Sequence, residues 1–189
     1  MKKVLCFIYD GFADFEITLA CRPFYHSEDY NIVYIAYENS PIISWGGLTI
    51  KPDKKVSDVS PTNNIEGIIF PGGNGRIVKP ELTKLVKELN EEKKMLAAIC
   101  AGPEFIAKMG LLNGVKYTTS ETPEMYEENK ELDPFPRDTF IEKRIIQDGN
   151  IITAQGYAFT DFALKIWEYF DLYDNDEEKE ELKILYTPD

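Results

Sequence analysis

Cys100 has the most telling surroundings of any residue able to do chemistry. It directly follows the apolar run Met95 to Ile99 and precedes Ala101-Gly102-Pro103. A cysteine between a buried strand and a helix start, with Ala98 two before it and Gly102 two after, fits a nucleophile elbow. Such a turn strains the nucleophile's own backbone, and small neighbours let the chains approach. Pro103 in the first helical turn sacrifices no hydrogen bond. The free N–H groups and positive end of that helix are then expected to favour the thiolate. Cys6, within an apolar run, and Cys21, on the apolar face of a helix, read instead as small buried hydrophobes.

Two further segments end strand-like runs and could face the same sulfur. Pro71-Gly72-Gly73-Asn74-Gly75 is a glycine-rich loop. It fits an ordinary tight turn, and as a phosphate cradle it lacks the lysine and hydroxyl that complete a P-loop. Beside Cys100 it has a third use, in which the N–H groups of Gly73 and Ala101 converge as an oxyanion hole. The first run leads into Asp10-Gly11-Phe12-Ala13-Asp14-Phe15-Glu16. Asp14 is expected to be a helix N-cap. Glu16 fits a solvated glutamate as well as a carboxyl beside Cys100, where burial would keep it protonated and able to donate a hydrogen bond to sulfur.

The elements that must position these residues follow from the apolar pattern. Short continuous apolar runs occur at Val4 to Tyr9, Ile32 to Tyr37, Ile65 to Phe70, Met95 to Ile99 and Ile151 to Ala154. Runs of this kind are strands buried on both faces, as in parallel sheets covered by helices. Ile17, Ala20, Cys21 and Phe24 give one buried helix face, Phe105, Met109 and Leu112 a second. Phe162, Ile166 and Phe170 give a third, with Thr160 as its expected N-cap. This alternation predicts an α/β flavodoxin-like, doubly wound sandwich, with a mostly parallel central sheet and helices on both faces. Ile42 to Ile50, around Gly46-Gly47, reads as a small hairpin on the sheet edge. Glu121 to Thr139 reads as an irregular insertion or lid. With no internal repeat or linker, residues 1–189 read as a single domain ending in an acidic tail from about 174. Six acids and one lysine between Asp174 and Glu181 fit a solvated helix end.

The 189 residues carry a formal net charge of −12, which argues against nucleic acid or an anionic membrane as partner. Three cysteines without paired spacing suggest neither a zinc site nor a disulfide framework, and they point to reduced thiols in the cytoplasm. The apolar run after Met1-Lys2-Lys3 is too short for a signal peptide, and no stretch reaches the length of a membrane span. No cofactor is expected.

Ala97-Ala98-Ile99-Cys100-Ala101-Gly102-Pro103, Phe70-Pro71-Gly72-Gly73-Asn74, and Gly11 with Glu16 together resemble the ThiJ/PfpI superfamily. This is the family of the parkinsonism-associated protein deglycase, within the class I glutamine amidotransferase-like fold. The resemblance runs from Lys2 to about Phe170. It implies a homodimer, Cys100 as the elbow cysteine, Glu16 as its protonated partner, and Gly73 and Ala101 as oxyanion donors. The chain departs from the family at several positions. Ala101 follows the cysteine where many members have histidine, Ser120 ends Tyr117-Thr118-Thr119-Ser120 where others have histidine, and Asn74 replaces a glutamate of peptidase-type members. The single histidine, His26, is expected past the end of the first helix, beyond Pro23, and at the surface or an interface.

Without a Cys–His dyad, peptidase or amidase turnover is disfavoured. The leading expectation is a small-molecule cysteine enzyme acting on reactive carbonyls, with Glu16 moving the proton. The alternative is a non-catalytic redox sensor whose partner is an oxidant. The pocket rim is expected to include Asn74, Ser120, Gln155, Gly156 and Tyr157.

Overall fold

The structure, a computed structural model, describes residues 1–60 and 64–186. β1 (Lys2–Phe7), α1 (Phe15–His26) and β2 (Tyr30–Ala36) form a first β-α-β unit. The short strands β3 (Ile42–Ile43), β4 (Thr49–Ile50) and β5 (Lys54–Lys55) follow. A second unit comprises β6 (Ile65–Phe70), α2 (Pro80–Glu91), β7 (Met95–Ile99) and α3 (Pro103–Lys108). Then come α4 (Pro123–Asn129), β8 (Ile145–Asp148), β9 (Ile151–Ala154), α5 (Phe159–Tyr169) and α6 (Asp176–Tyr186).

Seven strands make one sheet in the order β5-β2-β1-β6-β7-β9-β8. All neighbouring pairs are parallel except β8 with β9. The chain moves outward one way from β1 to β2 and the other way from β6 to β7, so right-handed crossovers put their helices on opposite faces. α1 and α5 pack together on one side, and α2 covers β6 and β7 on the other. The Trp167 indole N–H donates to the Ala20 carbonyl at 3.2 Å, tying α5 to α1. Each residue of β7 is buried, as its unbroken apolar run requires. The reversal of strand order lies at β1 and β6, and the crevice outside their carboxyl ends is where such sheets bind ligands.

Several local expectations change. The hairpin forms, but as a separate two-stranded sheet of β3 and β4. It is held over the loop after β1 by Gly11 N–H to Ile43 O and Trp45 N–H to Phe12 O, at 2.8 and 2.7 Å, while the sheet edge is taken by β5. α1 continues through Pro23 to His26, with Phe24 in the last turn fully buried against Tyr30 and Phe170. α3 stops at Lys108, so Met109 and Leu112 fall beyond it, and Gly110 takes the left-handed conformation (φ +76°) that turns the chain. Both side chains nevertheless remain buried. Thr160 lies inside α5, whose N-cap position is Ala158.

The 121–139 insertion is more regular than expected, containing α4 and a 3₁₀ turn at Arg137–Thr139. It is anchored by Tyr117 stacked on Phe135 at 5.5 Å and by Arg76 paired with Glu121 at 3.1 Å, while Arg137 pairs with Asp133 at 2.7 Å within it. The acidic segment is a solvated helix, since α6 has no buried residue. The end of the expected tail, residues 187–189, lies outside the described residues.

Candidate active site

Cys100 directly follows β7 in the left-handed region, at φ +62°, which for a side chain other than glycine or asparagine is strained backbone. Its surroundings over-determine this conformation. Its N–H donates to the Ala154 carbonyl at 2.8 Å, and its own carbonyl accepts from the Thr119 hydroxyl and the Ser120 N–H at 2.8 and 3.0 Å. Gly102 leaves room for the turn, because a Cβ there would stand 2.4 Å from the Phe70 carbonyl oxygen. Cys6 and Cys21 are fully buried in the core, whereas Cys100 is half-buried.

Glu16, in the first turn of α1, is 1 % exposed, which settles the choice between a solvated and a site carboxyl. The Gly72 N–H donates to its Oε2 at 2.6 Å, and the Cys100 thiol hydrogen-bonds the same carboxyl group. Two glycines close over this pair from either side. A Cβ on Gly72 would lie 2.7 Å from the Cys100 Cβ and 2.9 Å from Glu16 Oε2. One on Gly156 would lie 2.9 Å from the Cys100 Sγ. Burial pushes the Glu16 carboxyl up to about 7, against the opposing pull of the Gly72 N–H and the thiol.

The expected thiolate is not supported. Burial, then the Glu16 charge, pushes the Cys100 thiol up to about 12, with the Ser120 hydroxyl and Ala101 N–H acting the other way. α3 has six residues, and the positive end of so short a helix does not outweigh burial beside a carboxylate.

Ser120 and Ala101 touch the sulfur through these contacts. The Ser120 hydroxyl also donates to Gln155 Oε1 at 3.0 Å and accepts from the Gly156 N–H at 2.9 Å. Gln155 is itself turned inward: its amide donates to the Thr118 hydroxyl and the Thr119 carbonyl, both at 2.8 Å, so its side chain braces Ser120 and does not line an opening. Tyr157 is exposed, with the Arg144 guanidinium 5.2 Å from its ring. The Asn74 side chain is exposed, while its N–H holds the Gly11 carbonyl at 3.2 Å. Asp14, at the N-cap position of α1, makes no cap; its carboxylate accepts from the Gly46 N–H at 3.1 Å and fixes the hairpin.

Gly73 is buried at φ +120°, where a Cβ would stand 2.2 Å from the Gly11 carbonyl oxygen. Its N–H has no acceptor among the described residues. Its carbonyl accepts from Arg76, whose guanidinium also pairs with Glu104 and, at 3.1 Å, with Glu121. Glu104 is 3 % exposed and is further neutralised by Lys108. This charged group beneath the glycine loop, and the contact of Gly72 with both reactive groups, were missed by sequence reasoning. The paired glycines directly after a buried strand were the available signal for Gly72.

His26 is at the far end of α1 from Glu16, about 15 Å along the helix axis, with its ring against Tyr25 at 5.2 Å. Among the described residues no group of three or more His, Cys, Asp or Glu side chains could hold a metal, and no helix is long and apolar enough to cross a membrane.

Known proteins are similar to this chain. The uncharacterized protease YdeA of Bacillus subtilis is 29% identical over 187 residues, covering 98% of this chain and 90% of its own. A deglycase of Thermococcus kodakarensis is 27% identical over 161 residues, 81% of this chain and 89% of its own. The crystal structure of a DJ-1 superfamily protein from Agrobacterium tumefaciens superposes with a TM-score of 0.82 at 25% identity, over 98% of this chain and 97% of that one. The model of the DJ-1/PfpI family matches residues 2–169, and the chain therefore belongs to that family.

Proposed function

We propose that the protein is a small-molecule cysteine enzyme acting on reactive carbonyls, with Cys100 as nucleophile and Glu16 as proton carrier. The observation that carries this reading is a buried carboxyl, pushed up to about 7, in hydrogen-bond contact with the sulfur of a strained elbow. A group titrating near neutral pH can both take and return a proton at working pH. Glu16 takes the thiol proton as Cys100 adds to the aldehyde carbon of an α-oxoaldehyde and returns it to the new oxygen, which gives a hemithioacetal. The developing oxyanion meets the N–H groups of Gly73 and Ala101. Glu16, again a carboxylate, then moves the proton of the former aldehyde carbon to the neighbouring carbon while the hydroxyl proton passes to the neighbouring oxygen, leaving a thioester that one water molecule cleaves to a 2-hydroxy acid and free thiol. The kinship with a protein named as a deglycase fits this substrate class.

Purified protein given methylglyoxal is expected to form lactate, and Cys100→Ser to abolish the activity. Equal rates from the two proteins would dismiss the reading. The oxidation-sensing alternative calls for an accessible thiolate, and the upward push on the Cys100 thiol weighs against it. Peptidase chemistry has less support still, with His26 at the opposite end of α1.

As partner we propose a second copy of the chain. The hairpin exposes Ile43, Trp45 and Leu48 beside half-exposed Phe15 at the start of α1, an apolar surface suited to burial between protomers. Sedimentation of the purified protein as a monomer would refute this.

A further inference from the structure

The peptide joining Gly72 to Gly73 is flanked by two glycines, the residues that least resist rotation of a peptide plane. Its orientation matters, because a trans peptide points its N–H opposite to its C=O. The Gly72 carbonyl accepts from the Tyr9 hydroxyl at 2.8 Å and from the Ala13 N–H at 3.0 Å. The Tyr9 hydroxyl also lies 3.1 Å from the Pro71 carbonyl. With its oxygen held on that side, the peptide sends the Gly73 N–H the other way, and among the described residues this N–H has no acceptor.

Tyr9 is well placed to resist displacement. It lies two residues beyond the end of β1, and its ring packs against Phe7, Phe12 and Phe105 with centroids 5.8, 6.4 and 5.3 Å away. The next peptide plane is held independently, by Arg76 donating to the Gly73 carbonyl. Arg76 in turn is fixed by the buried Glu104 and by Glu121 of the insertion.

We propose that Tyr9 is a positioning residue that locks the Gly72–Gly73 peptide with its N–H presented to the oxyanion, so that the donor is formed before substrate arrives. The proposal rests on the reading of Gly73 as an oxyanion donor given above. Tyr9 touches no reacting atom in it and acts through the peptide alone.

The test is Tyr9→Phe, which removes the hydroxyl and keeps the ring packing. Turnover of methylglyoxal is expected to show kcat about tenfold lower with KM within about twofold, as for the loss of one hydrogen bond acting on a transition-state donor. Alkylation of Cys100 by iodoacetamide, a displacement that develops no oxyanion, is expected to keep its wild-type rate. The crystal structure of the variant is expected to show the 72–73 peptide rotated. Wild-type kcat with the peptide unrotated overturns the proposal. So does an equal fall in turnover and alkylation, which would make Tyr9 a support for the elbow as a whole. If the wild-type protein itself fails to turn over methylglyoxal, the carbonyl reading fails, and the crystal structure decides the lock alone: a rotated peptide upholds it and an unrotated one overturns it.

Discussion

Replacing Glu16 with glutamine removes a titratable carboxyl and keeps both its shape and an oxygen for the Gly72 N–H. In the folded chain that carboxyl is pushed from 4.5 up to about 7. The native state therefore binds more protons than the unfolded state between these values. Stability from this group is fully present below its unfolded pKa and is lost as pH rises through about 7. The difference corresponds to about 3 kcal/mol between pH 4.5 and pH 8. Glutamine has no such dependence, so Glu16→Gln is expected to gain on the wild type by that amount over the same interval. For a domain of this size the gain is a relative rise in Tm of about 6–12 °C. Urea unfolding of both proteins at the two pH values isolates the term, because all other titrating groups are common to both. A stability difference that stays constant with pH, or that moves toward the wild type on raising pH, would refute the assigned burial of an ionising Glu16.

Two further outcomes follow from the same geometry. Gly72→Ala places a Cβ within 3.0 Å of the Cys100 Sγ and closer still to its Cβ. It is expected to destabilise by about 1–3 kcal/mol and to abolish turnover; a variant of wild-type stability and rate would contradict the arrangement. Native protein treated with iodoacetamide is expected to label slowly, because the Cys100 thiol is pushed up to about 12, and to gain a single label on Cys100, since Cys6 and Cys21 are buried. Intact mass and peptide mapping check this, and labelling of Cys6 or Cys21 first would overturn it.

The sheet was legible because its central strands are covered on both faces, and Val4 to Phe7, Ile65 to Phe70 and Met95 to Ile99 consist almost wholly of apolar residues. β8 escaped notice for the opposite reason. It is an edge strand of only half-buried and exposed residues, Ile145 to Asp148, with nothing in its pattern to separate it from a loop. β5, two lysines paired to the end of β2, is likewise set by its neighbour and not by its own composition. Local capping rules failed at Asp14 and Thr160, where a tertiary contact in one case and an earlier helix start in the other took precedence. Cys100 and its turn were readable because small residues at 98 and 102 mark a tight approach. The thiol's protonation was not readable, since it depends first on how deeply the sulfur itself is buried and then on the Glu16 carboxyl beside it, both properties of packing between distant segments. Tyr9 and Arg76 were invisible for the same reason: each acts on the glycine loop through a hydrogen bond to its backbone, and a sequence pattern carries no record of a carbonyl's partner.

Glu16 comes from the first turn of α1 and Gly72, Cys100 and Gly156 from three further β-to-α connections, and together they draw on most of the length of the chain. Contacts so widely separated along the polypeptide are the last to close as a chain condenses. The carboxyl neighbour of the sulfur comes with β1 and α1 on one side of β6 and β7, and its covering Gly156 comes with β9 on the other, so both are present only when the sheet is complete on each side. The distinctive protonation of Cys100 is thus a property of the finished molecule, and its appearance during refolding would serve as a clock for completion of the sheet.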